Sequence, residues 1–209
     1  MFRSLAALVL TSGAALLVAL LALLGLAPGV PLESRHLREM KNRLDTPTRY
    51  EPLSFASHHD LPSGVTVGEY SAYERRAVSM EGQVQRMLIA GDGDLHLELN
   101  GALATGGMRD SAYVACEITP GFRRGSQRWR FEPLAEVFRP RHGSATPWSG
   151  GSPRVRVSGW LTYDFQYARL PSPWSIEHSA PRLSGWEIHP VTRIERWDET
   201  LRAYREVPR

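Results

Sequence analysis

Four acidic residues and two histidines are placed where strand geometry would bring them together. In Gly91-Asp-Gly-Asp-Leu-His-Leu-Glu-Leu-Asn100, a turn signal at Asp92-Gly93 opens onto strict polar/apolar alternation. Side chains of a strand alternate between its two faces, so Asp94, His96 and Glu98 share one face and Leu95, Leu97 and Leu99 the other. A second segment, Trp186-Glu-Ile-His-Pro-Val-Thr-Arg-Ile-Glu195, sets Trp186 and Ile188 against Glu187 and His189. Val114-Ala-Cys-Glu-Ile118 lies between them in sequence and offers Glu117 opposite Cys116 and Ile118 in parity. Two imidazoles with one or two carboxylates suit zinc or another divalent transition metal, and His96, Glu117 and His189 are the candidate ligands. Three protein ligands with a fourth position for water would also serve hydrolysis. The competing reading is a set of interstrand His–Glu ion pairs on a half-solvated sheet, since Asp-x-His is common by chance.

These residues need strands to position them, and five apolar-periodic runs supply them. They are Ala77 to Ile89 with Gly82 in its middle, Asp94 to Asn100, Ala112 to Thr119, Arg154 to Asp164 with Gly159 as a bend or bulge, and Gly185 to Glu195. One helical segment, Phe131-Glu-Pro-Leu-Ala-Glu-Val-Phe138, falls between the third and fourth. Three strands, a helix and two strands is the order of a mainly β, five-stranded OB-like barrel, which binds ligands on the outer face of strands two and three. A small β-sandwich is the alternative. With the barrel's strand order one, two, three, five, four, the apolar sets point inward. Asp94, His96, Glu98, Glu117, Glu187 and His189 then form one outer face.

The aromatic residues Trp160, Phe165, Tyr167 and Trp174 are further candidates on that side of the chain, as stacking platforms for bases or sugars. Their other reading is a proline-pinned cover over the barrel end. Trp186 and Tyr163 fall in the core by parity. Nucleic acid is therefore a candidate partner, beside a small molecule, a polymer or another protein. The chain has no dense basic cluster to support it. Net charge is +3, and the basic residues are arginines apart from Lys41. Neither a Gly-x-Ser-x-Gly elbow nor a phosphate-binding glycine loop is present. The single cysteine, Cys116, excludes an intramolecular disulfide and reads as a small buried hydrophobe.

The motifs Gly93-Asp94-x-His96-Leu97-x-Leu99, Glu117-Ile118-x-Pro120, Val155 to Asp164 and Trp186 to Thr192 together resemble a group of poorly characterised bacterial proteins with a single small β-barrel domain. The resemblance spans about Ala77 to Glu195. It implies the fold and the domain limits and no established reaction.

The remaining chain divides by composition. Residues 1–30 form a membrane anchor or signal segment, 31–64 a stalk and linker, 65–200 the barrel and 201–209 a tail. Leu5 to Ala27 is an uncharged apolar run, and about 20 residues cross a bilayer core, so residues 5–27 are long enough to span as a transmembrane helix. Gly25-Leu-Ala27 offers a signal cleavage pattern, but Pro28 follows it, which favours an uncleaved anchor; cleavage after Gly29 is the alternative. Arg35, Arg38, Lys41 and Arg43 against Arg3 alone would put the C-terminal side in the cytoplasm. The short N-terminal tail and signal-like run point instead to a bacterial inner-membrane anchor with the domain exported. Glu33 to Leu44 reads as a short stalk helix. His58-His59 in the linker reads as loop residues rather than a metal site.

Overall fold

The structure is a computed structural model. It describes residues 32–63, 66–101, 112–141, 143, 151–169 and 182–209. The anchor run 5–27 and Trp174 lie outside the described residues. Among the described residues, no helix is long and apolar enough to cross a membrane. The chain forms two compact units, Met1–Glu39 and Met40–Arg209. The described part of the first is most of the helix Leu32–Lys41, and everything below concerns the second.

Five strands hydrogen-bond into a ring. They are β2 (Ala77–Ile89), β3 (Leu95–Asn100), β4 (Tyr113–Ile118), β5 (Val155–Tyr163) and β6 (Arg182–Asp198). The order is β2-β3-β4-β6-β5, and β5 returns to pair with β2. All these pairings are antiparallel except β4 with β6, which is parallel. The alternation read from sequence sets the register. Leu97 pairs with Cys116, Cys116 with Ile188, and Ile188 with Leu161. All four side chains have no exposure, and Trp186 and Tyr163 join them in the core. The Phe131–Phe138 helix lies where the sequence places it and buries Leu134, Ala135 and Phe138.

Two glycines let the long strands bend. At Gly82 a Cβ would sit 2.5 Å from the Asn100 carbonyl oxygen, closer than any side chain tolerates. The register of β2 against β3 slips just beyond it, between Val84 and Arg86. Gly159 marks a second irregularity, where β5 shifts against β6.

The segments read as linker and tail are built into this unit. β1 (Glu51–Pro52) adds a short parallel strand to β2, and Leu53 N–H donates to the Ser79 carbonyl at 2.9 Å. Tyr50 and Thr192 share a hydroxyl hydrogen bond of 2.8 Å. The helix Phe55–His59 buries His58 completely. At the other end, β7 (Ala203–Glu206) pairs with β6, and Trp129 Nε1–H donates to the Val207 carbonyl at 3.1 Å. The stalk helix ends at Lys41, three residues short of Leu44, and Lys41 turns into the candidate site.

Candidate functional site

β3, β4 and β6 lie side by side, so their polar faces merge. His96 sits directly opposite Glu117 in the antiparallel ladder, and the parallel register of β4 with β6 sets His189 beside Glu117. The expectation of a half-solvated outer face is corrected here: β3 and β4 are buried on both faces. Asp94 is 6 %, His96 9 %, Glu117 5 % and both Glu187 and His189 0 % exposed. Part of the cover is the sequence immediately after β5, where Asp164 and the short helix Phe165–Arg169 fold over β6. Lys41 supplies another part.

His189 is the hub. Its Nε2 lies 3.1 Å from Asp94 Oδ2, and its Nδ1 lies 3.0 Å from Glu117 Oε2 and 2.9 Å from Glu187 Oε2. The other oxygen of Glu117 meets His96 Nδ1 at 2.9 Å, so one carboxylate joins both imidazoles. The His96 ring also meets Tyr113 edge-on, with centroids 6.1 Å apart. Glu187 is further held by Arg182, whose Nη2 donates to Oε1. Lys41 Nζ is 2.8 Å from Asp164 Oδ2 and 3.9 Å from Glu187 Oε2.

Ionisation follows from this crowding. Burial alone would push the His189 imidazole down; Glu117, Asp94 and Glu187 outweigh it and hold the ring well above its ordinary range. Burial would raise Glu117, but His189 and His96 keep it well below the usual carboxylate range. Glu187 follows the same pattern, drawn down to about 2 against its burial by Lys41 and Arg182. Asp164 goes the other way, raised by burial and by the Glu187 charge despite Lys41. Burial also lifts the Cys116 thiol well above its normal value, which makes it an inert core residue.

Comparison with protein-family models and with curated proteins finds no match.

The sequence candidates therefore separate. Asp94, His96, Glu117, Glu187 and His189 come together. Glu98 shares their face but turns towards β2, accepting from Gln85 Nε2 at 3.1 Å with Arg86 Nε at 3.7 Å. Trp160 stands apart, its Nε1–H on the Asp45 carbonyl at 2.9 Å and the Arg43 guanidinium stacked 3.6 Å from its ring centroid. Of the proposed ligands His96, Glu117 and His189, the last two belong to the tightest donor group, and Asp94 stands in it where His96 was expected. One ligand atom each from Asp94, Glu117 and His189 lies within 4.8 Å of the others. His96 approaches Glu117 from outside that group. Sequence reading missed Lys41, Asp164 and Arg182. The one available signal was Lys41, a single lysine in a chain whose other 24 Lys and Arg residues are all arginine.

Asp94 meets the His189 ring at Nε2 and Glu117 at Nδ1, so an N,O,O set for zinc, manganese or iron(II) forms only if one of the two carboxylates swings to the other's edge of the ring. Held protonated, the His189 ring presents one N–H to Asp94 and the other to Glu117 and Glu187.

Proposed function

We propose that the chain carries an OB-like β-barrel binding domain, tethered to a membrane by residues 5–27, whose ligand face is the polar face of β3, β4 and β6. We place a divalent cation on that face, at Asp94, Glu117 and His189. The observation that carries the reading is the convergence of three buried carboxylates on one imidazole. Buried charges cost several kcal/mol each to desolvate, roughly, and apolar residues of similar volume would stabilise the fold as well or better. Such a cluster on the face that this barrel type uses for ligands favours a functional role.

The test is metal stoichiometry of the purified full-length protein after stripping with chelator and reloading with zinc or manganese. The expected result is one equivalent, lost in Asp94→Ala and in His189→Ala. His96→Ala retains the metal with affinity lowered about 10- to 100-fold, because His96 only orients Glu117. A wild-type protein that binds neither ion leaves the cluster as an ion-pair network. In that case His189→Ala should cost about 3–5 kcal/mol of stability and change nothing else.

A metal-dependent hydrolase, of phosphodiesters for example, is the second reading. It is favoured by a donor group of three, which leaves a coordination position for water. Turnover of a chromogenic phosphodiester by the manganese-loaded protein, absent in Asp94→Ala, would select it over simple binding.

A further inference from the structure

Trp160 and the arginines around it belong to a surface that the buried cluster does not use. The second half of β6 runs beside β5, and the other edge of β5 meets β2. Ala77 pairs with Trp160, Ser79 with Ser158, and Ser158 with Arg193. The small side chains Ala77, Ser79 and Ser158 leave room there, and they line two open clefts of about 410 and 500 Å³. Thr48, Arg49, Tyr50 and Pro52 line both.

Charge in the clefts is unbalanced. Arg49, Arg75, Arg156 and Arg193 line them against two carboxylates, Glu51 and Glu195. Both carboxylates are engaged. Glu195 accepts from Arg156 Nε at 2.8 Å and Nη2 at 3.0 Å, and lies 3.2 Å from Arg193 Nη2. Arg193 Nε also has Glu206 at 3.2 Å. Glu51 accepts from Arg76 Nε at 3.0 Å. Arg49 and Arg75 are exposed and have no ion pair among the described residues. Two cations thus face solvent at the clefts without a counter-charge.

The aromatic residues of this surface are already committed. Trp160 gives its indole N–H to Asp45 and one ring face to Arg43, and the Tyr50 hydroxyl is bonded to Thr192. Base stacking has little to gain here, which disfavours a nucleic-acid strand. An anion held by guanidinium groups alone suits the clefts better, and phosphate matches that fork.

We propose that these two clefts form a membrane-facing surface that takes the phosphate headgroups of anionic phospholipids, with Arg49 and Arg75 as the principal contacts; this rests on the reading of residues 5–27 as a tether. Pro47, at the edge of the second cleft, is about 20 residues beyond Ala27. A tether that short makes headgroup contact an intramolecular event at high effective concentration. Each arginine near an anionic leaflet favours contact about fivefold, which is too little to anchor a protein alone and enough to orient one already tethered.

The experiment is amide hydrogen exchange of the full-length protein in nanodiscs of phosphatidylcholine, with and without about 30 % phosphatidylglycerol. Exchange in residues 47–52 and 74–76 should slow several-fold in the anionic discs only, and the effect should vanish in about 0.5 M salt. The double variant Arg49→Gln/Arg75→Gln changes exposed side chains, so it should fold, insert equally and lose the protection, with β3 and β4 unaffected. Equal exchange in the two discs, or protection kept in the double variant, overturns the surface. So does a thymidine oligonucleotide that protects the same residues in neutral discs, which would identify a nucleic-acid groove. A protein that fails to insert, yet floats with phosphatidylglycerol vesicles and not with phosphatidylcholine ones, keeps the surface and removes the tether. Flotation with neither overturns both.

Discussion

At the scale of single residues, burial decides what each group can be. Leu97 sits at the centre of β3 with no exposure, facing Cys116 across the ladder. Leu97→Ala should cost about 2–5 kcal/mol in denaturant unfolding, the range for truncating a packed core leucine. His58 gives the pH dependence. Burial, with help from Arg182 on β6 and His59 on its own helix, lowers its pKa from 6.5 to about 4. The unfolded chain therefore binds a proton near pH 6.5 that the folded chain refuses until about pH 4. The contribution of neutral His58 is present in full above pH 6.5 and drains away as pH falls towards 4. The loss is on the order of 3 kcal/mol. Stability curves of wild type and His58→Leu should differ in slope across that window and run parallel above it. Parallel curves throughout would show that His58 stays solvated.

At the scale of elements, the ring depends on close approach of backbones at particular glycines and on short segments that seal its edges. Gly82→Ala would drive a Cβ against the Asn100 carbonyl oxygen, which is backbone and cannot rotate aside. The expected cost is about 1–3 kcal/mol, with loss of amide protection concentrated where β2 meets β3. The C-terminal strand is likewise structural. Removing residues 203–209 exposes the β6 edge and the Trp129 indole N–H, so thermal unfolding should move down by several degrees, roughly. An unchanged midpoint would return this segment to the status of a tail.

At the scale of the whole molecule, the apolar run of residues 5–27 leads to one prediction about location. Full-length protein should stay in the membrane fraction through carbonate washing; a soluble form starting near residue 30 would identify a cleaved signal instead. The strands, their faces and the Phe131–Phe138 helix were legible in the chain because side-chain period and register are local properties. Leu95, Leu97 and Leu99 point together whatever else the protein does. Parity likewise placed His96, Glu117 and His189 on one face, because neighbouring strands at about 4.8 Å spacing carry that pattern across the sheet. Which of them converge was beyond parity. Glu98 has the right parity and turns to Gln85, since the slip of β2 brings that amide within reach. Asp94 enters the donor group through the side chain of His189, from a strand almost 100 residues away in sequence. Lys41 and Asp164 meet only through long-range folding, and composition assigned Lys41 to a stalk. Burial of the polar face, and with it the ionisation of His189 and Glu187, is a property of what packs over the sheet. Sequence alternation records which side of a strand a residue takes, and tertiary structure alone decides whether that side meets water.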